Sequence, residues 1–468
     1  MTVETRVPQP KAVLVGVTLP GVTDQETEES LDELARLVKT LGYDVVGRVS
    51  QRRRSLAGAV VLGAGKLREL ARYSDGPGVV ERTSFAKKSK AALRAEAEAE
   101  LAEDEDELEL EIDDEVEDED DEPEDVEPDQ QADVVVFDVE LSPSQLSNLQ
   151  KATGAEVFDR TGVIVEIFSR HARTRAAKLQ VEIARLRYLA PRVRLTGSGP
   201  GDKMGKAGEA SLELDKRRIR DRIAELRREI EDVERDLSTG RTSRSEQCSV
   251  ALVGYTNAGK SSMMRALTGS AVLVEDKLFA TLDTTVRTLM PPSIPKVLIS
   301  DTVGFIKKLP TDLVASFRST LEEARSADHL LFVVDASDPS FRSQLQTTRE
   351  VLAGIGVDQA PSHLVLNKID RLGAGELESL LDEFPGALAV STKSAEDMAR
   401  LREEILGFFE ADMVEEEIFV AYGATGGVGA VRSRARVLSE RYTEEGAYFT
   451  VRASQPVLSW LRGELNHR

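Results

Sequence analysis

The sequence predicts an α/β protein whose central domain has a mostly parallel sheet with helices on both faces. Three observations predict this class. Strands and helices alternate along most of the chain, a glycine-rich loop joins a buried strand to a helix, and two helical seams repeat one apolar spacing. The patterns place a small α/β domain first, an antiparallel two-helix hairpin second, the central domain third and a small α/β domain last. The 468 residues are ample for four such parts.

The first domain is predicted over residues 1–168. Its strands are predicted from apolar runs, which lie at 11–17, 45–49, 59–62, 133–139 and around 163–168. An amphipathic helix is predicted over 28–41, because its leucines and Val38 share one face. The string GAGK at 63–66 resembles a phosphate loop only superficially, since it lacks the required spacing from a preceding glycine.

An acidic insert at 86–131 interrupts this first domain. Within it, residues 91–130 hold 23 Asp or Glu and one Arg, which accounts for the whole net charge of −22. The insert has few large apolar side chains, so it is predicted to be solvated and disordered. The alternative is that it mimics phosphate and masks a basic surface of its own chain.

The antiparallel hairpin is predicted over residues 169–240. Two sets of apolar residues are each spaced 4, 3, 4, 3, 4, as on one face of a helix. The first set is Ala172, Ala176, Leu179, Ile183, Leu186 and Ala190, and the second is Ile219, Ile223, Leu226, Ile230, Val233 and Leu237. Pro191 ends the first helix, and a glycine-rich tip at 197–208 joins the two.

The first arm of the hairpin and its tip are strongly basic. Residues 170–206 hold ten Lys or Arg against Glu182 and Asp202. One interpretation is a solvated helix face. The other is contact with nucleic-acid phosphates through counterion release.

A phosphate-binding loop is predicted at 254–261, where GYTNAGKS follows an apolar strand at 248–253 and precedes a helix. The glycines let backbone N–H groups approach phosphates. Lys260 brings positive charge to the β and γ phosphates, and the Ser261 hydroxyl is a magnesium ligand. This order of strand, loop and helix is specific to nucleotide-binding sheets.

Three further strings identify the nucleotide. DTVG at 301–304 fits a γ-phosphate sensor, in which Asp301 orients a magnesium-bound water and Gly304 offers its N–H. NKID at 367–370 places the Asp370 carboxylate where it can accept both the N1–H and the amine of guanine, a pattern that adenine lacks. STK at 391–393 suits contact with the base carbonyl. Residues 246–411 are therefore predicted to form a P-loop GTPase domain, which uses GTP as substrate and Mg²⁺ as cofactor, and residues 412–468 to form the last domain.

The catalytic roles are predicted for Lys260, Gly304 and a switch I threonine. Thr281 is favoured as the second magnesium ligand beside Ser261, with Thr285 as the alternative, both from the string KLFATLDTTVR at 277–287. Contacts to the nucleotide are predicted for Gly254, Tyr255, Thr256, Asn257, Ala258, Gly259, Lys260, Ser261, Ser262, Phe279, Ala280, Thr281, Leu282, Asp283, Asp301, Thr302, Val303, Gly304, Asn367, Lys368, Ile369, Asp370, Ser391, Thr392 and Lys393.

Two residues of the site bear on the rate of GTP hydrolysis. Many related GTPases place a glutamine after the sensor glycine to orient the attacking water. Here Phe305 follows Gly304, which predicts slow hydrolysis until a partner orders the switches. Asn257 stands where some related GTPases hold K⁺ beside the phosphates; the alternative is that its side chain only closes the loop.

The chain resembles the HflX family of translation-associated GTPases. The resemblance is carried by GYTNAGKS at 254–261, LFATLDTTVR at 278–287, SDTVGFIKKLP at 300–310 and FRSTLEEA at 317–324. It extends upstream to other strings, namely LSPSQLSNLQ at 141–150, DRTGVIVEIFSRHARTR at 159–175 and LQVEIARLRYLAPR at 179–192. It covers nearly the whole chain apart from the acidic insert.

This resemblance implies a partner and an activity. It implies binding to the large ribosomal subunit and its rRNA, GTPase stimulation by the ribosome, and the splitting or rescue of stalled or idle ribosomes. The alternative is a slow GTP-dependent switch that acts in ribosome assembly or stress without splitting.

The sequence departs from the family pattern at three places. The tip at 201–213 lacks the usual Arg-Gly-Pro, the acidic insert is additional, and Thr392 replaces a common alanine.

The remaining expectations concern the compartment and the assembly. Cys248 is the only cysteine, the start of the chain lacks the pattern of a signal peptide, and no apolar run reaches the ~20 residues needed to span a bilayer. We therefore expect a cytoplasmic protein without a membrane span, and a monomer.

Overall fold

The structure is a computed structural model of the whole chain. It describes residues 9–80, 131–192, 206–242, 248–269, 278–279, 285–308, 323–357, 360–423 and 426–466. Residues 81–130, which include all of the acidic insert at 86–131 except its last residue, lie outside the described residues, as do most of the hairpin tip and the switch I residues 280–284. The chain divides into two compact units, 1–160 and 161–468.

The first unit contains a four-stranded parallel sheet in the order β2-β1-β3-β4. Its elements are β1 (Lys11–Thr18), α1 (Asp24–Thr40), β2 (Asp44–Arg52), α2 (Ala64–Arg72), β3 (Val134–Phe137), α3 (Pro143–Thr153) and β4 (Glu156–Asp159). Helix α1 begins with a capping box between Thr23 and Glu26, and α3 begins with one between Ser142 and Gln145. The apolar face of α1 is buried as the sequence predicts.

The prediction of a strand at 59–62 is wrong. These residues form an irregular segment in which Val61 and Leu62 are buried in the core. Polar side chains of α3 replace the missing strand partner: Gln145 donates to the carbonyls of Leu56 and Gly58 at 2.6 and 2.9 Å, while Asn148 donates to that of Ala59. Backbone carbonyls satisfied in this way need no neighbouring strand. The GAGK string lies at the start of α2, where Gly63 is the N-cap.

The prediction of a strand around 163–168 is also wrong, because these residues lie within a helix, α4 (Arg160–His171). All five of its large apolar residues from Val163 to Phe168 are buried. A short apolar run of this kind, interrupted only by Glu166, fits a buried helix as well as a buried strand, and periodicity cannot separate the two.

Two helices of the second unit, α5 (Arg175–Leu189) and α6 (Lys206–Thr242), pack along the predicted seam. Leu179, Ile183 and Leu226 form its buried centre. Ion pairs link Glu182 to Arg222 and Arg175 to Glu229. In the second pair the α5 residue lies seven positions earlier in the sequence, and the α6 residue lies seven positions later. The two helices are therefore antiparallel, as the sequence predicts.

A six-stranded sheet follows, in the order β10-β9-β8-β5-β7-β6. Its strands are β5 (Cys248–Gly254), β6 (Thr285–Thr288), β7 (Val297–Asp301), β8 (His329–Asp335), β9 (Ser362–Asn367) and β10 (Leu388–Ala389). Its helices are α7 (Lys260–Thr268), α8 (Phe341–Gly354), α9 (Ala374–Glu383) and α10 (Ala395–Ala411). All pairings are parallel except that of the edge strand β6, which runs antiparallel to β7 and which the sequence does not predict.

The last sheet has three antiparallel strands in the order β11-β13-β12. Its elements are β11 (Val414–Ala421), α11 (Gly427–Arg434), β12 (Arg436–Tyr442), β13 (Gly446–Ala453) and α12 (Gln455–Asn466). Alternate residues of β13, including Phe449 and Val451, are buried against Leu458 and Leu461 of α12. Among the described residues, no helix is both long and apolar enough to cross a membrane.

Candidate functional site

Those predicted site residues that belong to the phosphate loop, DTVG, NKID and STK gather at one edge of the six-stranded sheet. The phosphate loop follows β5, DTVG begins at the end of β7, and NKID begins at the end of β9. Because these strands are parallel, their carboxyl ends meet at the same edge, which is where open α/β sheets bind ligands.

The phosphate loop depends on glycine at its last position. Gly259 has a φ of +97°, and a Cβ there would lie 2.2 Å from Nδ2 of Asn367. Asn257 also has a left-handed backbone, with a φ of +60°. Mixed-hand loops of this kind turn successive N–H groups toward one concave side, where an anion can sit. The loop then runs directly into the first turn of α7, whose free N–H groups also favour a bound anion.

Lys260 lies buried within this loop. Its Nζ donates to the carbonyls of Gly254 and Tyr255 at 3.0 and 2.7 Å. Burial lowers the pKa of this ammonium to about 8, and the nearby Asp301 carboxylate opposes the shift only in part. A buried cation that is hydrogen-bonded to carbonyls and only partly neutralised by a carboxylate is well placed to bind a polyphosphate.

Ser261 and Asp301 bring a hydroxyl oxygen and a carboxylate oxygen together. The Ser261 hydroxyl donates to Oδ2 of Asp301 at 2.6 Å, and Asp301 is completely buried. Hydroxyl and carboxylate oxygens are the ligands that Mg²⁺ prefers, and Mg²⁺ usually keeps several waters and phosphate oxygens as well. Within the described ranges no group of three or more His, Cys, Asp or Glu could hold a metal alone. The pair therefore fits a magnesium ion shared with phosphate rather than a protein-only cage.

The residues after β7 lie against the phosphate loop. The Thr302 hydroxyl donates to the carbonyl of Leu252 at 2.8 Å, and Val303 is buried. A Cβ at Gly304 would lie 2.7 Å from Cγ2 of Thr256 and 3.1 Å from Nζ of Lys260, so only glycine fits this approach.

The NKID and STK strings form one connected corner with the phosphate loop. Asn367 donates through Nδ2 to the carbonyl of Ala258 at 2.8 Å and accepts from the N–H of Thr392 at 3.3 Å. Asp370 accepts from the Ser391 hydroxyl and from Nζ of Lys393, each at 2.7 Å. The hydrogen bond from Lys393 is the main reason that the pKa of Asp370 is lowered, which keeps this carboxylate ionised.

Sequence reasoning missed the role of Asp335. Nζ of Lys368 donates to Oδ2 of Asp335 at 2.6 Å and to the carbonyl of Asn257 at 2.8 Å, which ties β8, β9 and the phosphate loop together. The backbone of Lys368 is left-handed, with a φ of +64°, and Ile369 donates its N–H to the carbonyl of Val390. The position of Asp335 at the end of a core strand was the one signal that could have indicated it.

Switch I is described only at its borders. Ala280, Thr281, Leu282 and Asp283 lie outside the described residues, so the choice between Thr281 and Thr285 remains a prediction. Phe279 is buried, has a φ of +58°, and makes an edge-to-face contact with Phe168 of α4 at a centroid distance of 4.6 Å. Thr285 begins β6 and is the register partner of Asp301. Ser262 lies half-buried in the first turn of α7.

Family models match three stretches of the chain. The model described as 50S ribosome-binding GTPase matches residues 249–368. The model described as GTP-binding GTPase Middle Region matches 171–244, and the GTP-binding GTPase N-terminal model matches 28–83 and 121–169.

Relatives named GTPase HflX match nearly the whole chain. The protein from Gluconacetobacter diazotrophicus is 53% identical over 99% of this chain and 100% of its own length. The protein from Caldanaerobacter subterraneus subsp. tengcongensis is 34% identical over 93% of this chain and 89% of its own. A solved GTP-binding protein from Sulfolobus solfataricus, in complex with GDP, is 21% identical over 84% of this chain and 99% of that chain, with a TM-score of 0.41.

The geometry and the relatives agree on the class of protein. The phosphate loop, the buried lysine and the NKID corner stand together at one sheet edge, and a relative with 53% identity spans the full chain. The chain belongs to the HflX family of GTPases.

Proposed function

We propose that the chain binds GTP with Mg²⁺ at the carboxyl edge of the six-stranded sheet and hydrolyses it to GDP and phosphate. The observation that carries this proposal is the corner in which Asn367 is bonded to the phosphate loop while Asp370 is held by Ser391 and Lys393. An ionised carboxylate fixed at that place can accept two hydrogen bonds from guanine, whereas adenine, with an acceptor at N1 and no amine at C2, offers it neither.

Each predicted contact then has a role in the reaction. Lys260 neutralises charge on the β and γ phosphates, and the N–H of Gly304 contacts the γ phosphate. Ser261 and Thr281 would hold Mg²⁺, which would offset the negative charge of the phosphates when bound. The remaining lining residues are Gly254, Tyr255, Thr256, Asn257, Ala258, Gly259, Ser262, Phe279, Ala280, Leu282, Asp283, Asp301, Thr302, Val303, Lys368, Ile369 and Thr392.

The partner we propose is the large ribosomal subunit and its rRNA. The matching family is described as 50S ribosome-binding, and the first arm of the hairpin is basic. Phe305 is buried and cannot orient an attacking water, which supports slow hydrolysis by the protein alone. We propose that ribosome binding orders the switches and that hydrolysis accompanies the splitting or rescue of stalled or idle ribosomes.

The test of this proposal is GTP turnover with and without purified large subunits. We expect turnover to rise by at least tenfold when subunits are added, and equal rates would contradict the proposal. Sedimentation with a non-hydrolysable GTP analogue then separates the two modes of action. Whole ribosomes converted into subunits support splitting, whereas co-migration with large subunits alone supports the slow binding switch.

Potassium is a second ion to test. The Asn257 side chain is exposed at the phosphate loop, while its backbone carbonyl accepts from Nζ of Lys368. The exposed amide could hold K⁺ beside the phosphates. Turnover should then be several-fold faster in potassium than in sodium salts, and equal rates would exclude the cation.

We also propose the four-part division described above, with parts at 1–168, 169–240, 246–411 and 412–468. The helix pair and the three separate sheets support it. We propose further that the protein acts in the cytoplasm, where ribosomes reside, and as a monomer. Light scattering on the purified chain should give a mass near 51.3 kDa, and a value twice as large would contradict the monomer.

A further inference from the structure

Tyr255 connects the phosphate loop to the start of switch II, defined here as residues 304–308. This tyrosine is the second residue of the phosphate loop and is almost completely buried. Its hydroxyl accepts a hydrogen bond from the N–H of Lys307 at 2.5 Å, across 52 residues of sequence. The tyrosine therefore touches the segment that follows Gly304 without itself facing the sensor position.

Backbone hydrogen bonds fix the same segment one step earlier. The N–H of Thr256 donates to the carbonyl of Phe305 at 2.9 Å, and the N–H of Phe305 donates to that of Gly254 at 3.1 Å. These two bonds form a parallel bridge between Tyr255 and Phe305. The backbone bridge fixes the position of Phe305 relative to the phosphate loop. The hydrogen bond from the N–H of Lys307 to Tyr255 adds a second attachment two residues later, which helps to set the direction of the segment.

Gly304 is closely packed against its neighbours. A Cβ at this position would lie 2.7 and 2.8 Å from atoms of Thr256 and 3.1 Å from Nζ of Lys260. Lys260 in turn donates to the carbonyl of Tyr255. The sensor glycine, the lysine and the tyrosine thus share one tightly packed corner, and a small change in the direction of 304–307 moves the Gly304 N–H relative to Lys260.

We propose that Tyr255 is a positioning residue for γ-phosphate recognition, acting through the hydrogen bond from Lys307 to hold the Gly304 N–H in place. The inference rests on the proposed function, because it takes Gly304 as the contact to the γ phosphate. GDP lacks that phosphate, so the role of Tyr255 belongs to the recognition of GTP and not of GDP. The hydroxyl is bonded to Lys307, and the nucleotide contact predicted for Tyr255 is assigned to the loop backbone, which Tyr255→Phe keeps.

The substitution Tyr255→Phe removes the hydroxyl and keeps the ring. A typical hydrogen bond has a net worth of about 1 kcal/mol. We expect Tyr255→Phe to weaken a non-hydrolysable GTP analogue about five- to tenfold, to leave GDP affinity unchanged, and to lower kcat for GTP. The matched control is Tyr422→Phe, which removes a hydroxyl that donates to the carbonyl of Thr443 at 3.0 Å in the last sheet. That control should change neither affinity.

Fluorescent GDP and GTP-analogue titrations of the full-length chain separate the outcomes. Unchanged GTP-analogue affinity in Tyr255→Phe would overturn the positioning role. Equal losses for both nucleotides would also overturn it, because they would indicate a merely structural contact. If the unaltered protein bound neither guanine nucleotide, or failed to hydrolyse GTP, the proposed function itself would fail, and that result is read before any variant is compared.

Discussion

Lys260 is a buried cation whose partners are carbonyl oxygens rather than counter-charges. Its pKa of about 8 places part of its population in the neutral form at mildly alkaline pH. A bound triphosphate brings negative charge beside it and raises this pKa again, since a nearby opposite charge favours the ionised form. Nucleotide binding is therefore linked to protonation of one identifiable side chain.

The first prediction concerns this linkage. Above pH 8 GTP binding must take up a proton, so we expect affinity to fall as the pH rises, approaching tenfold per pH unit at most. Calorimetry between pH 7 and 9 in buffers of different ionisation enthalpy measures the uptake directly. The comparison variant is Lys260→Arg, whose guanidinium stays charged and whose affinity should not vary with pH in this way. A pH-independent affinity in the unaltered protein would contradict the lowered pKa.

The second prediction concerns Asp370 and the choice of base. In Asp370→Asn the carboxylate that accepts from guanine is lost, and we expect GTP affinity to fall about 10- to 100-fold. The new amide can donate to the extra carbonyl of xanthine, so affinity for XTP should rise. Competition against a fluorescent guanine nucleotide measures both changes. Asp382→Asn alters an exposed aspartate of α9 and should leave the preference as it was; retained guanine preference in Asp370→Asn would refute the assignment.

At the scale of elements, the hairpin is held by a narrow seam. Leu226 is 0% exposed on α6, whereas Leu214 on the same helix is 55% exposed. The two residues thus differ in burial while sharing chemistry and secondary structure. The seam should carry most of the stability of the helix pair, because helical propensity alone supports an isolated helix only weakly.

The third prediction follows from that difference. Leu226→Ala should lower the free energy of local opening of α5 and α6 by about 2–5 kcal/mol, and Leu214→Ala by less than about 0.5 kcal/mol. Hydrogen exchange of peptides from the two helices is the suitable measurement, because a chain with several parts does not unfold in one step. Similar effects of the two substitutions would show that the seam is not the source of stability.

The same elements show what could be predicted from sequence. The phosphate loop and NKID were predicted because a bound nucleotide dictates residue types at fixed local spacings. The run at 163–168 was assigned to the wrong element, since five apolar residues suit a buried helix equally well. The contact of Tyr255 with Lys307 could not be predicted, because it joins distant residues through the fold. For the contact of Lys368 with Asp335, the end of a core strand was the only signal.

At the scale of the whole molecule, charge is strongly separated along the chain. The net charge of −22 comes from the acidic insert, while residues 170–206 carry ten basic side chains against two acidic ones. The overall pI of about 4.9 therefore says nothing about the surface of the hairpin. An RNA partner would respond to the local charge and not to the average.

The fourth prediction tests this local charge. Lys178 and Arg185 are exposed on α5. If the first arm contacts rRNA phosphates, removing these two charges should weaken binding to large subunits. It should also reduce the slope of log affinity against log salt concentration by about one per cation. The variant is Lys178→Gln with Arg185→Gln. Its control is Lys296→Gln with Arg349→Gln, which removes the same charge from exposed positions of the GTPase domain. Equal slopes for the two variants would rule out a special role for the arm.

The edge-to-face contact between Phe168 and Phe279 fastens one border of switch I to α4. The opposite border is tied at Thr285, in register with Asp301. A shift of α4 would therefore displace switch I at Phe279, and a shift of β7 would displace it at Thr285, so the two borders of this loop answer to different elements.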